Sequence, residues 1–155
     1  MDAECKLESN GTIFRFCITE KGYNDGGYFW TNAAIYVSNW CLNYRTSSEF
    51  LEFSELIELR DKLTDLINDN LNEIEHLEFI EPDIQVLLKP RHDIRNDGKY
   101  EYIKGGYEIE DIVAEFLLYP VLDDAFTDQH YVMPLYRQNI AELLKYLDNM
   151  IAKLK

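Results

Sequence analysis

The chain of 155 residues predicts an α+β fold, an antiparallel sheet with two helices packed against one face. Three observations lead there. Runs rich in aromatic and β-branched residues are set off by Gly, Asn, Asp and Pro, as strands are by turns. Leucine-rich segments with helical periodicity occur twice, at about 54–70 and 137–153. The succession is strands, helix, strands, helix, with no internal repeat, low-complexity tract or linker, which predicts one domain over residues 1–155.

The first expected strand runs from Gly11 to Thr19, and GYNDGG, from Gly22 to Gly27, concentrates turn formers after it. Tyr28 to Ser38 and Trp40 to Tyr44 read as the next strands, with a bulge or bend at Asn39 and strand pairing resuming at Glu49 to Glu52. A helix is expected from Ser54, as N-cap, to Asn70, burying Leu56, Ile57, Leu59, Leu63, Leu66 and Ile67. Leu77 to Ile80 and Ile84 to Leu88 then form a hairpin, because Pro82 presets φ and Asp83 can bind backbone amides. Lys89 to Gly106 reads as a polar loop with a short strand at Tyr100 to Lys104. Tyr107 to Tyr119 is expected as a strand with Ile112, Ala114, Phe116 and Leu118 on one face, helix being the rival for the same spacing. Pro134 puts the strand His130 to Leu135 at a sheet edge. The last helix, Arg137 to Lys153, buries Ile140, Leu143, Leu144, Leu147, Met150, Ile151 and Leu154.

With 46% apolar residues the chain can bury a substantial core. Its net charge of −14 opposes binding to nucleic acid or anionic membrane, and a basic protein is the natural complement. The charge is blocked: −10 over Glu49 to Asp83, +2 over Ile84 to Gly106, −7 over Tyr107 to Asp128. Glu58, Asp61, Asp65 and Asp69 recur every three or four residues, so they share the helix face opposite the leucines, with Lys62 as an i+4 partner of Glu58. Such repeated like charges cost a few tenths of a kcal/mol per pair. Either the face is a solvated helix back or it is presented to a cationic partner.

Catalytic constellations are not found. His76, His92 and His130 are isolated, without metal-ligand spacing. Cys5, Cys17 and Cys41 form no CxxC, the last two lie in apolar patterns expected to bury them, and reduced thiols fit a cytoplasmic protein. Glu108 and Glu110 would share an exposed strand face, and no spacing selects a glycosidase pair. There is no phosphate-cradling glycine loop, so no cofactor is expected. MDAECKLESNG has no basic region followed by an apolar run, and no run reaches the roughly 20 residues of a membrane span.

The order of several stretches resembles the WapI family of bacterial immunity proteins. These are the aromatic strands with Trp30 and Val37-Ser38-Asn39, Phe50-Leu51-Glu52-Phe53 feeding a helix, Leu77-Glu78-Phe79-Ile80-Glu81-Pro82-Asp83, and Val132-Met133-Pro134-Leu135 running into a helix with Leu147 near its close. The resemblance spans Phe29 to Leu154, and Phe-Ile-Glu-Pro-Asp is its most specific piece. It implies a protein that neutralises a toxin domain made by the same or a sister cell. The family's namesake toxin attacks transfer RNA, which implies a nuclease target here. No catalytic residues carry over.

Together these readings predict a non-enzymatic, cytoplasmic immunity protein that occludes a basic toxin domain. Glu58, Asp61, Asp65, Asp69, Glu108, Glu110, Asp111, Asp123, Asp124 and Asp128 are its expected contact carboxylates. Tyr23, Tyr28 and Trp30 are candidates for an aromatic anchor beside the glycine-rich turn, while the strand pattern also places Trp30, like Trp40, in the core. The alternative is a scaffold or interaction module without a toxin, monomeric or homodimeric.

Overall fold

The computed structural model describes residues 4–20, 24–25, 28–47, 50–122, 125–126 and 128–155, with backbone only at 24, 25, 28, 121, 122, 125 and 126. The chain opens with a hairpin, β1 (Glu4–Ser9) and β2 (Thr12–Glu20), joined by Asn10 and Gly11 at φ 51° and 75°. Such a pair of left-handed residues is what a two-residue hairpin turn requires. Short β3 (Asn24–Asp25) and β4 (Tyr28–Phe29) pair with each other. β5 (Asn32–Ser38) and β6 (Asn43–Arg45) complete an antiparallel sheet in the order β1-β2-β5-β6. After helix α1 (Phe53–Ile67) come β7 (Glu75–Glu78) and β8 (Ile84–Lys89). Next are β9 (His92–Asp93), a 3-10 turn at Ile94–Asn96, and β10 (Ile109–Glu110), which pairs with β9. β11 (Val113–Leu118), β12 (Val121–Leu122), β13 (Ala125–Phe126) and β14 (Tyr131–Tyr136) lead into helix α2 (Arg137–Leu154). The second four-stranded sheet is β14-β11-β8-β7.

The α+β class is as expected, but the strands divide among two four-stranded sheets and three two-stranded pairs, β3-β4, β9-β10 and β12-β13. Alternation along β2 and β5 sends Phe14, Phe16, Ile18, Ala33, Ile35 and Val37 to one face, and alternation along β8 and β11 does the same for Ile84, Val86, Leu88, Ala114, Phe116 and Leu118. These faces share one core with the leucines of α1 and α2. Phe14 meets Phe116 edge to face at 5.2 Å, so the sheets touch through their aromatic centres. α2 lies against α1, β1 and β14, and α1 also reaches β8 and β4.

Several expectations shift. The N-cap of α1 is Glu52, two residues before Ser54: its carboxylate accepts the Ser54 N–H at 3.0 Å and the Ser54 hydroxyl, while Glu55 accepts the Glu52 N–H at 3.0 Å. The helix ends at Ile67, followed by Asp69 at φ 57°. Ile57, Ile67 and Leu154 pack at the core's margin. Tyr100 to Lys104 forms no strand, because β9 finds its partner in β10. Trp40 to Tyr44 is largely turn, with only Asn43–Arg45 in a strand. Gly22, Tyr23, Gly26 and Gly27 of GYNDGG, and Glu49, lie outside the described residues, while Asn24–Asp25 are the strand β3. The Tyr107 to Tyr119 segment is strand, broken at Asp111 and Ile112, and Pro134 does sit on an edge strand.

Candidate functional site

The Glu81-Pro82-Asp83 turn belongs to the architecture. Asp83 is 4% exposed; its carboxylate accepts the Ser47 N–H and hydroxyl, and its carbonyl accepts the Tyr44 hydroxyl at 2.6 Å and the Tyr119 N–H at 2.9 Å. Burial at this junction pushes the Tyr44 hydroxyl pKa upward, helped by the Asp83 charge. One aspartate thereby joins the β6 strand to the turns of the second sheet.

The exposed back of α1 carries Glu58 and Asp61, with Asp65 half-buried beside them. Lys62 reaches away from Glu58 to Glu75, at 2.8 Å, so it ties α1 to β7. The cations here are shared. Arg60 serves both Asp61 and Asp148 of α2, the latter at 3.1 Å. Arg137, the first residue of α2, holds Asp111 in a two-pronged contact at 2.6 and 2.9 Å, lies 3.8 Å from Asp69, and donates to the Ile67 carbonyl at 3.2 Å. The guanidinium holds the Asp111 carboxyl below its ordinary pKa. Each of these guanidinium groups is shared by two carboxylates, Arg91 also acts on Asp111, and Glu58, Asp65 and Glu110 have no ion pair among the described residues.

Arg137 thus brings together Asp69 and Asp111, from the two acidic blocks. Glu108 and Glu110 flank the same segment; Glu108 accepts the Gly106 N–H at 3.0 Å, and backbone donors, its own and that of Gly106, lower its pKa. Asp128 is exposed and stands apart from this group in the chain; Asp123 and Asp124 lie outside the described residues.

At Asp111 and Arg137 themselves opens a cleft of about 650 Å³. Lys89, Arg91, Lys99 and Arg137 line it against Glu73, Asp97, Glu110 and Asp111, so it is balanced in charge and is not part of a uniformly acidic surface. The outer face of the first sheet is different again. Lys6, Arg15, Tyr36 and Arg45 stand in one cross-strand row, with the two guanidinium groups 4.8 and 5.4 Å from the Tyr36 ring centre. Sequence blocks hid this row, because its members come from four strands; pairing β1, β2, β5 and β6 in register would have exposed it.

The aromatic expectations change most. Trp40 is 95% exposed, not core, because Asn39 to Leu42 closes a turn and leaves it at the apex. Trp30 is half-buried beside its bridge to Glu52; Tyr23 and the Tyr28 side chain lie outside the described residues. Cys41 is exposed and Cys17 half-buried, correcting the expectation of buried thiols, whereas Cys5 is buried, which raises its pKa to about 11. His76 meets Gln85 at 2.6 Å and His92, in β9, meets Asp97 at 2.8 Å. Among the described residues no three His, Cys, Asp or Glu side chains gather as a metal site, and no helix is long and apolar enough to cross a membrane.

Two four-stranded sheets and two helices around one core define an α+β protein. The family model described as the immunity protein WapI-like family matches residues 6–155, and the chain belongs to that family. Membership carries a toxin-neutralising role. Comparison with curated proteins gives no match.

Proposed function

We propose that the chain acts without catalysis, in the cytoplasm, by binding a cognate basic toxin domain of nuclease type and covering it with the carboxylates of α1 and the Glu108 to Asp111 segment. The observation that supports this reading is the meeting of Asp69 and Asp111 at Arg137, which brings carboxylates from two acidic stretches distant in sequence to one cation. A nuclease must attract phosphate, so its cleft carries Lys and Arg, and opposite fields accelerate encounter. Carboxylates spaced along a helix can occupy the positions that phosphates would take.

The test is co-expression with the toxin domain encoded beside this chain's gene, scoring survival and pull-down. Survival with a salt-sensitive 1:1 complex is the expected result. Survival without a complex, or a complex whose association rate ignores salt, would overturn the electrostatic reading.

A further inference from the structure

Trp40 is the most exposed large apolar side chain among the described residues, and the turn that carries it is firmly built. The Asn39 N–H donates to the Leu42 carbonyl at 3.0 Å, and the Cys41 N–H donates to Asn39 Oδ1, also at 3.0 Å. Asn39 Nδ2 donates to the Thr12 and Tyr131 hydroxyl oxygens, each at 3.2 Å. One asparagine therefore ties the apex to β2 and to β14, on both sheets. A large indole held in water by a pinned turn gains nothing for folding. It is, however, pre-ordered for docking, because a fixed loop loses little entropy on binding.

Its surroundings show what it would meet. The row of the first sheet nearest the apex is Glu8, Ile13, Ser38 and Asn43, with Glu8 exposed. Exposed Asp128 stands three residues before Tyr131, whose hydroxyl holds Asn39. The apex is thus bordered by the amides of Asn39 and Asn43, with Arg15, Tyr36 and Arg45 two residues further along the strands and Glu8 two strands away from β5.

We propose that the Trp40 apex is the hot spot that seats in an apolar pocket of the cognate toxin domain. This rests on the toxin-neutralising reading and adds the residue that holds the complex once charge has brought it together. Tryptophan is enriched at such positions, surrounded by contacts that exclude water.

Binding kinetics of Trp40→Ala against the toxin domain encoded beside this chain's gene test it. Dissociation should speed up by about 30-fold or more, corresponding to the roughly 2 kcal/mol that marks a hot spot. Association should change little, Trp40→Phe should fall between, and the urea midpoint should match the parent, since the side chain is solvent-exposed. Parent-like dissociation of Trp40→Ala would overturn the anchor while leaving the toxin reading standing. Absence of any complex with the parent chain would overturn both. A parent dimer that Trp40→Ala makes monomeric, with toxin binding unchanged, would assign the apex to a second copy instead and so overturn the proposal.

Discussion

The Asp83 carboxylate accepts the backbone N–H of Ser47 at 2.8 Å and the Ser47 hydroxyl at 3.1 Å, linking the hairpin after α1 to the chain just beyond β6. Removing a buried acceptor leaves its donors poorly satisfied, so Asp83→Ala should lower the unfolding free energy by about 1–3 kcal/mol. Asp83→Asn, which keeps one acceptor oxygen, should cost less. Urea unfolding of the three proteins measures this, and a silent Asp83→Ala would show that Ser47 finds water instead.

Glu55 has a double task. One oxygen closes the α1 cap on the Glu52 N–H, and the other accepts the Ile80 N–H at 2.8 Å. Burial raises its pKa above the ordinary 4.5, outweighing these backbone donors, so the folded state binds its proton more tightly than the unfolded chain does. Its stability contribution is therefore complete below 4.5 and declines as pH rises through the raised folded value. In Glu55→Gln that decline should vanish, flattening the stability–pH curve just above pH 4.5 relative to the parent. Parallel curves would refute the assignment.

The Tyr146 hydroxyl of α2 accepts the Ile18 N–H at 2.8 Å, beside the bulge in β2. Burial pushes its pKa up to about 12. Tyr146→Phe leaves that N–H without this acceptor and should cost about 1–3 kcal/mol. Hydrogen exchange at Ile18 should quicken in the variant well before exchange elsewhere in β2.

Arg137→Met removes the link between Asp69, Asp111 and the end of α1. These side chains are largely solvated, so the loss should be about 1 kcal/mol or less and should shrink in 1 M salt. Asp111, freed from the guanidinium, should titrate at a higher pH. Because its folded pKa is depressed in the parent, the stability it contributes is present above the unfolded value and is lost as pH falls through the folded one. NMR titration of the aspartate carboxyls in parent and variant checks the shift.

Reversing Asp61, Asp65 and Asp69 to lysine together should slow toxin association several-fold at low salt while changing folding stability less. Rates equal to the parent's would remove α1 from the contact. This variant and Trp40→Ala act on different rate constants, so a single set of binding traces separates steering from anchoring.

Much of the fold follows from local pattern. The second helix, the Pro82 hairpin and the alternation of Ile112, Ala114, Phe116 and Leu118 are legible because burial on one face imposes a period. β1 is not among the expected strands, although Asn10-Gly11 is a hairpin signal, because its short alternation of Cys5, Leu7 and Ser9 is weakly apolar. The division into two sheets depends on which edges meet, and no local propensity encodes that. In a run of aromatic residues Trp40 reads as strand interior, whereas the turn closed between Asn39 and Leu42, and tied through Asn39 to Thr12 and Tyr131, leaves it outward. Glu58, Asp61 and Asp65 fall on α1 as their spacing predicts, whereas Asp69 lies beyond the helix end, and the links of Arg60 and Arg137 between α1 and α2 required the packed helices.

Pro134 sits mid-strand in β14, at the rim of its sheet, and offers no amide hydrogen. An incoming strand from another molecule would find the hydrogen-bond template interrupted there. Stored at high concentration, the protein should resist growing into stacked fibrils from that border, and Pro134→Thr should make it more prone to do so.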